Sequence, residues 1–442
     1  MKTPIFDFVK KYSESANIRM HMPGHKGKGD MESLDITEIA GADSLYEASG
    51  IIAQSESYAG ELFGADTYYS TEGSSLAIRA MLYLLRLYAG EDCLVLAARN
   101  VHKSFVFAVG LLGIDVEWIA PRCGASYLTA DVDTQWLRER FSKGDKLPAA
   151  LYLTSPDYLG HIADIEGIAA VCREFGVLLL VDNAHGAYLK FLEPSRHPMD
   201  LGADMCSDSA HKTLPVLTGG AYLHISKSAP ELFAREAKRA LSVFGSTSPS
   251  YIILASLDRA NAYLSSGYSQ KLCDFADKVS AIKKRLQGYG YTLFGDEPLK
   301  ITVKTKEYGY LGEELASLLA CTGIVAEFAD RDNLVLMLTP ENSDAELFKL
   351  NLAFSKIKKR QPIEESAPDI KLCESRLSVR EAMLSASVYV TPREAVGRVL
   401  ASASVGCPPA VPIAVSGEVI NENAALAFEY YGVEKIAVAE DR

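Results

Sequence analysis

Short apolar runs alternate with helix-type segments in the central part of the chain. In one segment Ile165, Ile168 and Cys172 recur at the spacing of a helix that packs on a sheet. The run Val177 to Val181 is apolar throughout, as in a parallel strand covered on both faces. The candidate strands are Cys93 to Ala98, Val116 to Ala120, Ala149 to Thr154, Val177 to Val181, Asp204 to Cys206 and Ala221 to Ile225. This alternation predicts an α/β fold with a mostly parallel sheet.

The segments on either side follow other patterns. Residues 21–29 are too rich in Gly, Pro and charge to form a regular element, whereas a long helical pattern follows Ser250. Beyond it come strand-like pieces, such as Lys300 to Lys304 and Leu334 to Leu338, and a helix-like piece, Leu311 to Ala320. We therefore predict an N-terminal arm at 1–45, a large domain at 46–255, a connecting helix at 256–290 and a smaller C-terminal α+β domain at 291–442.

Composition narrows the class of function. The 442 residues include 57 acidic and 45 basic side chains, a net charge of −12, which argues against a nucleic-acid-binding protein. The sequence contains no apolar run of about 18 residues and no signal-peptide pattern, so we expect a cytoplasmic protein without a membrane partner. The eight cysteines are never closer than 30 residues, which predicts reduced thiols and no metal site. A small-molecule substrate is the expected partner.

A possible phosphate site begins at Ser70. The segment Ser70 to Ser75 combines hydroxyl residues with Gly73 and precedes a strong helix former. Backbone N–H groups, hydroxyls and the positive end of a helix dipole together suit a phosphate. A plain helix cap is the alternative that this segment alone leaves open. Walker-type, G-x-G-x-x-G and H-E-x-x-H motifs are absent from the sequence, which argues against nucleotide hydrolysis, a Rossmann dinucleotide site and a zincin. The motifs that remain point to a phosphate-bearing organic cofactor.

Two further segments carry charged groups that suit such a cofactor. Asp182 ends a buried strand, where α/β sheets place ligand groups, and Lys212 follows 30 residues later between compact polar neighbours. Each alone could be structural, as a helix-capping acid or a surface lysine. Pyridoxal phosphate needs all three parts: a phosphate cradle, a carboxylate for the pyridine nitrogen and an amine for the aldehyde. His102, after another strand, could stack on the ring, although a lone histidine is more often structural.

With these motifs the chain resembles the prokaryotic Orn/Lys/Arg decarboxylases, which are fold-type I pyridoxal phosphate enzymes. The similarity runs from about residue 18 to about residue 422. It rests on blocks at 21–27, 35–38, 73–75, 99–104, 154–156, 182–186, 209–213, 244–250, 394–398 and 408–409. The resemblance implies an aspartate-aminotransferase-like large domain and a smaller C-terminal domain. It also implies a short form, without the N-terminal wing domain of larger members.

The same resemblance implies roles for individual residues. Lys212 would form the Schiff base with the cofactor, Asp182 would pair with the pyridinium, His102 would stack on the ring, and His185 would lie near the scissile side of the substrate. The other residues expected to contact the cofactor are Gly73, Ser74, Ser75, Ala184, Ser209, His211, Ser246 and Thr247. The segment containing Ser246 and Thr247 would reach the phosphate of the neighbouring subunit. This implies a homodimer or larger assembly with the active site at the subunit interface.

Some positions depart from the family pattern. Asn183 stands in place of a frequent Glu, Asp157 in place of Thr, Gly219 in place of Gln, Ser402 in place of an acid and Cys407 in place of Tyr. The family implies decarboxylation of a basic amino acid. A missing acid at 402 predicts poor handling of arginine and lysine unless another acid, such as Asp157, compensates. The alternatives are an aminotransferase or lyase with the same cofactor, and a non-catalytic paralogue that regulates a decarboxylase by binding.

Overall fold

The computed structural model of the protein divides into two compact units. The structure describes residues 1–121, 126–143, 146–369, 371–402 and 410–440. The first unit comprises Met1–Cys93, Ala149–Tyr152 and Ile165–Lys271, and the second comprises Leu94–Pro148, Leu153–Asp164 and Leu272–Arg442. Each unit is therefore assembled from three separate stretches of sequence.

Helices and strands alternate through most of the chain. The helices are α1 (Pro4–Ser13), α2 (Ile51–Phe63), α3 (Gly73–Ala89), α4 (Lys103–Leu112), α5 (Thr134–Lys143), α6 (Ile165–Phe175), α7 (Ala210–Thr213), α8 (Glu231–Phe244), α9 (Tyr251–Leu264), α10 (Tyr268–Gly288), α11 (Gly312–Ala320), α12 (Asp344–Lys356), α13 (Val379–Met383) and α14 (Glu422–Tyr430). Short 3-10 helices cover Ala187–Phe191 and Lys306–Tyr308. Within the described part of the chain, none of these helices has both the length and the apolar content that a membrane crossing requires.

The strands form one large sheet and two small ones. They are β1 (Asp66–Ser70), β2 (Leu94–Ala98), β3 (Asp115–Ile119), β4 (Ala150–Thr154), β5 (Leu178–Asp182), β6 (Met205–Asp208), β7 (Ala221–Ile225), β8 (Thr292–Phe294), β9 (Lys300–Lys304), β10 (Phe328–Ala329), β11 (Asn333–Met337), β12 (Ser387–Val390) and β13 (Ile436–Ala439). The seven-stranded sheet has the order β1-β7-β6-β5-β4-β2-β3. This mostly parallel sheet with helical connections confirms the predicted α/β class.

The register of the first unit determines where its polar side chains lie. Strands β5 and β6 are parallel, with Asp182 opposite Ser207, while β7 runs antiparallel to β6 and to the edge strand β1. The interior of β5 is almost entirely buried, as its apolar run predicts. Because parallel strands end at the same edge of a sheet, the residues after Asp182 and after Asp208 emerge side by side.

The second unit contains the remaining β-structure. Strands β2 and β3 pair in parallel, and β10-β11-β9-β8 form an antiparallel sheet. Strands β12 and β13 make a separate antiparallel pair. A buried cluster that includes Leu128, Leu159, Val335 and Phe428 joins several of these segments into one core. The C-terminal part of the chain is thus α+β, as predicted.

Six predicted strands correspond to β2 to β7, but other elements differ from the sequence predictions. The helical pattern after Ser250 is divided between α9 and α10, where Gly267 has a φ of +79°. The N-terminal segment contains α1 before the turns and loops of residues 14–50. Asp258 stabilises this helix, because its Oδ2 accepts the N–H groups of Ile5 and Phe6 at 2.9 and 3.0 Å.

Candidate active site

The N-terminus of α3 forms one side of a candidate anion site. Gly73 has a φ of +72°, and the space beside its Cα is open. Ser74, in the first turn, accepts a hydrogen bond from Ser209 Oγ at 2.7 Å. The first N–H groups of a helix have no partner within the helix, and the dipole places positive charge there. These N–H groups, with two hydroxyls from separate elements, suit a phosphate.

The residue that precedes α3 also contacts the predicted interface segment. Glu72 Oε1 accepts the backbone N–H of Ser246 at 2.6 Å. The side chains of Ser246 and Thr247 are exposed on this chain. The structure therefore places the segment next to the start of α3 of its own chain, and its contact with a neighbouring subunit remains a prediction.

The short helix α7 carries the predicted cofactor lysine and its histidine neighbour. The backbone N–H of His211 donates to the carbonyl of Gly220 at 3.2 Å, and His211 Nδ1 lies 3.1 Å from the same oxygen. Nδ1 must therefore carry the proton that points at this carbonyl. Burial lowers the pKa of His211, with a smaller contribution from the charge of Lys212. The lowered pKa favours the neutral imidazole, in which Nε2 is the hydrogen-bond acceptor.

Asp182 is a buried acid at the carboxyl end of β5. It is 2% exposed, and its Oδ1 accepts the N–H of Ala184 at 3.2 Å and lies 3.5 Å from Ser207 Oγ. Burial raises the pKa of Asp182 to about 6, against the lowering effect of the positive charge of Lys212. A cation placed against this carboxylate would return the pKa towards its ordinary value. The site therefore favours a ligand that presents a positive charge to Asp182.

Lys212 lies close to His185 as well as facing Asp182. The distance from Lys212 Nζ to His185 Nε2 is 3.1 Å, and the histidine is 4% exposed. A hydrogen bond between an amine and an imidazole requires one group to donate and the other to accept. One proton can therefore move between these two nitrogens, which is what a general acid–base pair needs.

His102 belongs to the second unit. Its side chain caps α4, because Nδ1 accepts the N–H of Ser104 at 3.2 Å and lies 2.9 Å from Ser104 Oγ. The cap fixes the ring at the start of the helix. Its predicted role as a stacking residue remains a prediction.

Asp157 has a different environment from the one expected of a substrate-binding acid. It is 1% exposed, and its Oδ1 accepts the N–H groups of Leu159 and His161 at 3.0 and 2.9 Å. Lys300 Nζ donates to the Asp157 carbonyl at 3.1 Å and lies 2.7 Å from Glu297 Oε2. This geometry makes Asp157 the anchor of a buried turn and does not support a contact with the substrate.

The altered C-terminal positions are only partly described. Ser402 is half-buried in a loop. Cys407, Pro408 and Pro409 lie outside the described residues. The predicted effect of these departures on the substrate therefore stays a prediction.

Sequence reasoning missed one group of buried polar residues in the first unit. Asn183 Nδ2 donates to Asp208 Oδ1 at 2.7 Å, and His197 and His224 both face the other oxygen of Asp208. Only the position of Asp208, directly before Ser209, and a histidine in the apolar strand β7 hinted at this cluster. The long-range pairing itself could not be seen in the sequence.

The sequence matches a family model described as Orn/Lys/Arg decarboxylase, major domain, over residues 3–294. It is 31% identical to the uncharacterized protein YaaO of Bacillus subtilis, over 96% of this chain and 92% of that protein. It is 29% identical to the arginine decarboxylase of Bacillus subtilis, over 95% of this chain and 92% of that protein.

A solved structure shows a similar fold. The lysine decarboxylase LdcF of Francisella novicida superimposes with a TM-score of 0.81, at 18% identity, over 99% of this chain and 81% of that one. A NifS-like protein aligns over 80% of this chain with a TM-score of 0.57. These neighbours have the fold-type I architecture, which confirms the predicted fold.

Proposed function

Because the chain belongs to the Orn/Lys/Arg decarboxylase family, we propose that it decarboxylates a basic amino acid with the help of pyridoxal 5'-phosphate. Arginine is the first substrate to test, since several relatives that match along their length are named arginine decarboxylase. The proposal rests on one observation above all. Lys212 Nζ lies 3.1 Å from His185 Nε2, and His185 lies three residues after the buried Asp182 at the end of β5.

The residues at the site fit the proposed cofactor. When bound, pyridoxal phosphate supplies an aldehyde that condenses with amines and a protonated ring that withdraws electrons. The start of α3 with Gly73, Ser74 and Ser75, together with Ser209, would hold the phosphate. Burial raises the pKa of Asp182 although the charge of Lys212 opposes it, and a protonated ring nitrogen would add a second positive charge beside this carboxylate.

Each protein group then has a definite task. Asp182, once ionised, keeps a proton on the ring nitrogen. Lys212 Nζ would hold the cofactor through its aldehyde. Lys212 and His185, 3.1 Å apart, would supply the proton that the substrate carbon needs after decarboxylation. Ala184 and His211 complete the proposed contacts, at the ring and at the phosphate.

We further propose that the protein acts as a homodimer or a larger assembly of dimers. The arm after α1 exposes large apolar side chains: Ile18 is 81%, Met20 is 86% and Met22 is 60% exposed. Such a stretch of exposed apolar groups is typical of a protein–protein interface. Ser246 and Thr247, also exposed, are the proposed contacts with the phosphate in the neighbouring subunit.

The test is to incubate the cofactor-loaded protein with single amino acids and to measure carbon dioxide and the corresponding amine. We expect stoichiometric carbon dioxide and amine from a basic amino acid, and none from Lys212→Ala. Borohydride treatment should attach the cofactor to Lys212, as located by peptide mapping. A keto acid instead of an amine would indicate an aminotransferase, and no turnover of any amino acid would favour a binding role.

A further inference from the structure

Asp208 is enclosed by hydrogen-bond donors in the interior of the first unit. Its Oδ2 lies 3.0 Å from His197 Nε2 and 3.2 Å from His224 Nε2, and all three side chains are fully buried. Its Oδ1 accepts Nδ2 of Asn183 at 2.7 Å. Cys206 Sγ also donates to Oδ1, at 3.4 Å. Four donors therefore converge on one carboxylate, which favours its ionised form.

The two histidines and Asp208 could in principle bind a metal, since their ligand atoms lie within 4.8 Å of one another. The hydrogen-bond donors around the two histidines argue against a metal site. The N–H of Met199 points to His197 Nδ1 at 3.3 Å, and Thr67 Oγ1 lies 2.9 Å from His224 Nδ1. The Nδ1 atom of His197 is thus an acceptor, so the proton is on Nε2, where it faces Asp208. A protonated nitrogen cannot bind a metal, and the cluster is a hydrogen-bonded network.

The charge of Asp208 is stable over the physiological range. Burial opposes ionisation, but His197 and His224 hold the pKa of Asp208 well below its usual range. Burial also lowers the pKa of His224. The titratable groups that face Asp208 are His197, His224, Cys206, Asp182 and Tyr222. None of these interactions requires Asp208 to gain a proton near neutral pH.

The network connects the two loops of the proposed active site. Asn183 directly follows Asp182, its N–H donates to the Ser207 carbonyl at 2.9 Å, and its own carbonyl accepts the N–H of Gly186 at 2.8 Å. Asp208 directly precedes Ser209 and lies four residues before Lys212. The Asn183–Asp208 hydrogen bond therefore joins the segment after Asp182 to the segment before Lys212, in addition to the contact between His185 and Lys212.

We propose that Asp208 is a positioning residue, which acts through Asn183 to hold Asp182 and Lys212 in register. The inference rests on the proposed function. It also explains why this chain has an amide at 183, where the family often has Glu. Asn183 donates a hydrogen bond to ionised Asp208, whereas a carboxylate there would repel it unless one of the two bound a proton.

The test exchanges the two side chains singly and together. In Asn183→Asp two carboxylates would meet at a distance of 2.7 Å. We expect this variant to bind pyridoxal phosphate at least about tenfold more weakly at pH 8, with recovery towards pH 6 as one carboxylate is protonated. Adding Asp208→Asn restores a hydrogen bond between the two positions, in which residue 208 donates and residue 183 accepts. The double variant should therefore bind within about twofold of wild type, with the same pH profile as wild type.

Cofactor affinity is measured by titrating cofactor-free protein with pyridoxal phosphate. The kcat, the KM and the melting temperature of each variant are measured as well. Asn333→Asp is the matched control, since Asn333 is a buried amide of the second unit that donates to another buried acid, Asp330, at 3.4 Å. It should lower the melting temperature without the pH-dependent loss of cofactor. Additive effects in the double variant, or a pH-independent defect in Asn183→Asp, would overturn the inference alone. Failure of the wild-type protein to bind pyridoxal phosphate would overturn the proposed function and the inference with it.

Discussion

The carbonyl oxygen of Gly219 accepts the backbone N–H of Gly73 at 2.7 Å, so the loop after α7 supports the start of α3. Gly219 has a φ of +99°, and an added Cβ would lie 2.8 Å from the Thr71 carbonyl oxygen. We expect Gly219→Ala to cost roughly 1–3 kcal/mol in the free energy of unfolding and to weaken pyridoxal phosphate binding. Thermal melts and cofactor titration measure the two effects.

The matched control for this prediction is Gly176→Ala. Gly176 has a φ of +70°, but a Cβ there would meet open space. The control should lose about 1 kcal/mol of stability from the backbone alone and should bind the cofactor normally. Equal loss of cofactor affinity in both variants would contradict the role of Gly219 in the cradle.

Asp182→Asn keeps the size of the side chain and removes its charge. Without the carboxylate the ring nitrogen loses its proton, so we expect kcat to fall by about 100-fold or more, some 3 kcal/mol of transition-state stabilisation. Borohydride should still attach the cofactor to Lys212. Near-normal turnover by this variant would show that another group pairs with the ring.

The same variant tests the burial of Asp182 in cofactor-free protein. Its pKa is raised to about 6 in the folded state, against about 3.9 for an unperturbed Asp, so the folded protein binds this proton more tightly. The stabilising effect is complete below pH 4 and is lost as the pH rises through 6. The melting temperature of Asp182→Asn, relative to wild type, should therefore increase between pH 4.5 and 7.5. A constant difference would mean that Asp182 does not titrate in this range.

Asp157→Asn should leave kcat/KM for arginine within about twofold of wild type, because an amide oxygen can still accept the N–H groups of Leu159 and His161. Asp157→Ala, which removes that acceptor, should cost about 1–3 kcal/mol of stability. A selective loss of activity with arginine or lysine in Asp157→Asn, without a change in melting temperature, would restore Asp157 as a substrate contact.

Mixing two inactive variants tests the shared active site. One variant carries Lys212→Ala, and the other carries Ser246→Ala with Thr247→Ala. We expect a particle of at least twice the 48.0 kDa chain mass by light scattering, and partial recovery of activity after the two proteins exchange subunits. Activity that stays at the level of the separate variants, despite proven exchange, would show that the segment serves its own chain.

The sequence predicts the parts of the site that depend on short-range chemistry. Asp182 follows an apolar strand, Ser74 starts a strong helix, and Lys212 follows another strand, so each could be found from its immediate neighbours. The structure brings Ser74 to Ser209 and Lys212 to His185. Such groups are visible because strand ends in α/β sheets have a fixed relation to ligands.

Other features depend on contacts between distant residues. Asn183 and Asp208 look unrelated in sequence, and only the parallel pairing of β5 with β6 brings them together. The sequence suggests Asp157 as a substrate contact because an acid stands there in place of the family's frequent Thr. The surrounding fold buries this side chain. Burial is decided by the whole chain, so a local pattern cannot distinguish a binding acid from a turn-forming one.

The anchoring of α1 by Asp258 has a consequence for biosynthesis. The two partners are 253 residues apart, so at 5–20 residues per second the first helix leaves the ribosome roughly 13–50 seconds before the acid that receives its N-terminal N–H groups. During that time the apolar side chains of Ile5 and Val9, buried in the finished protein, lack the surface of α9, although α2, which also contacts α1, has already emerged. The N-terminal helix, although synthesised first, therefore completes its native contacts only after α9 has emerged.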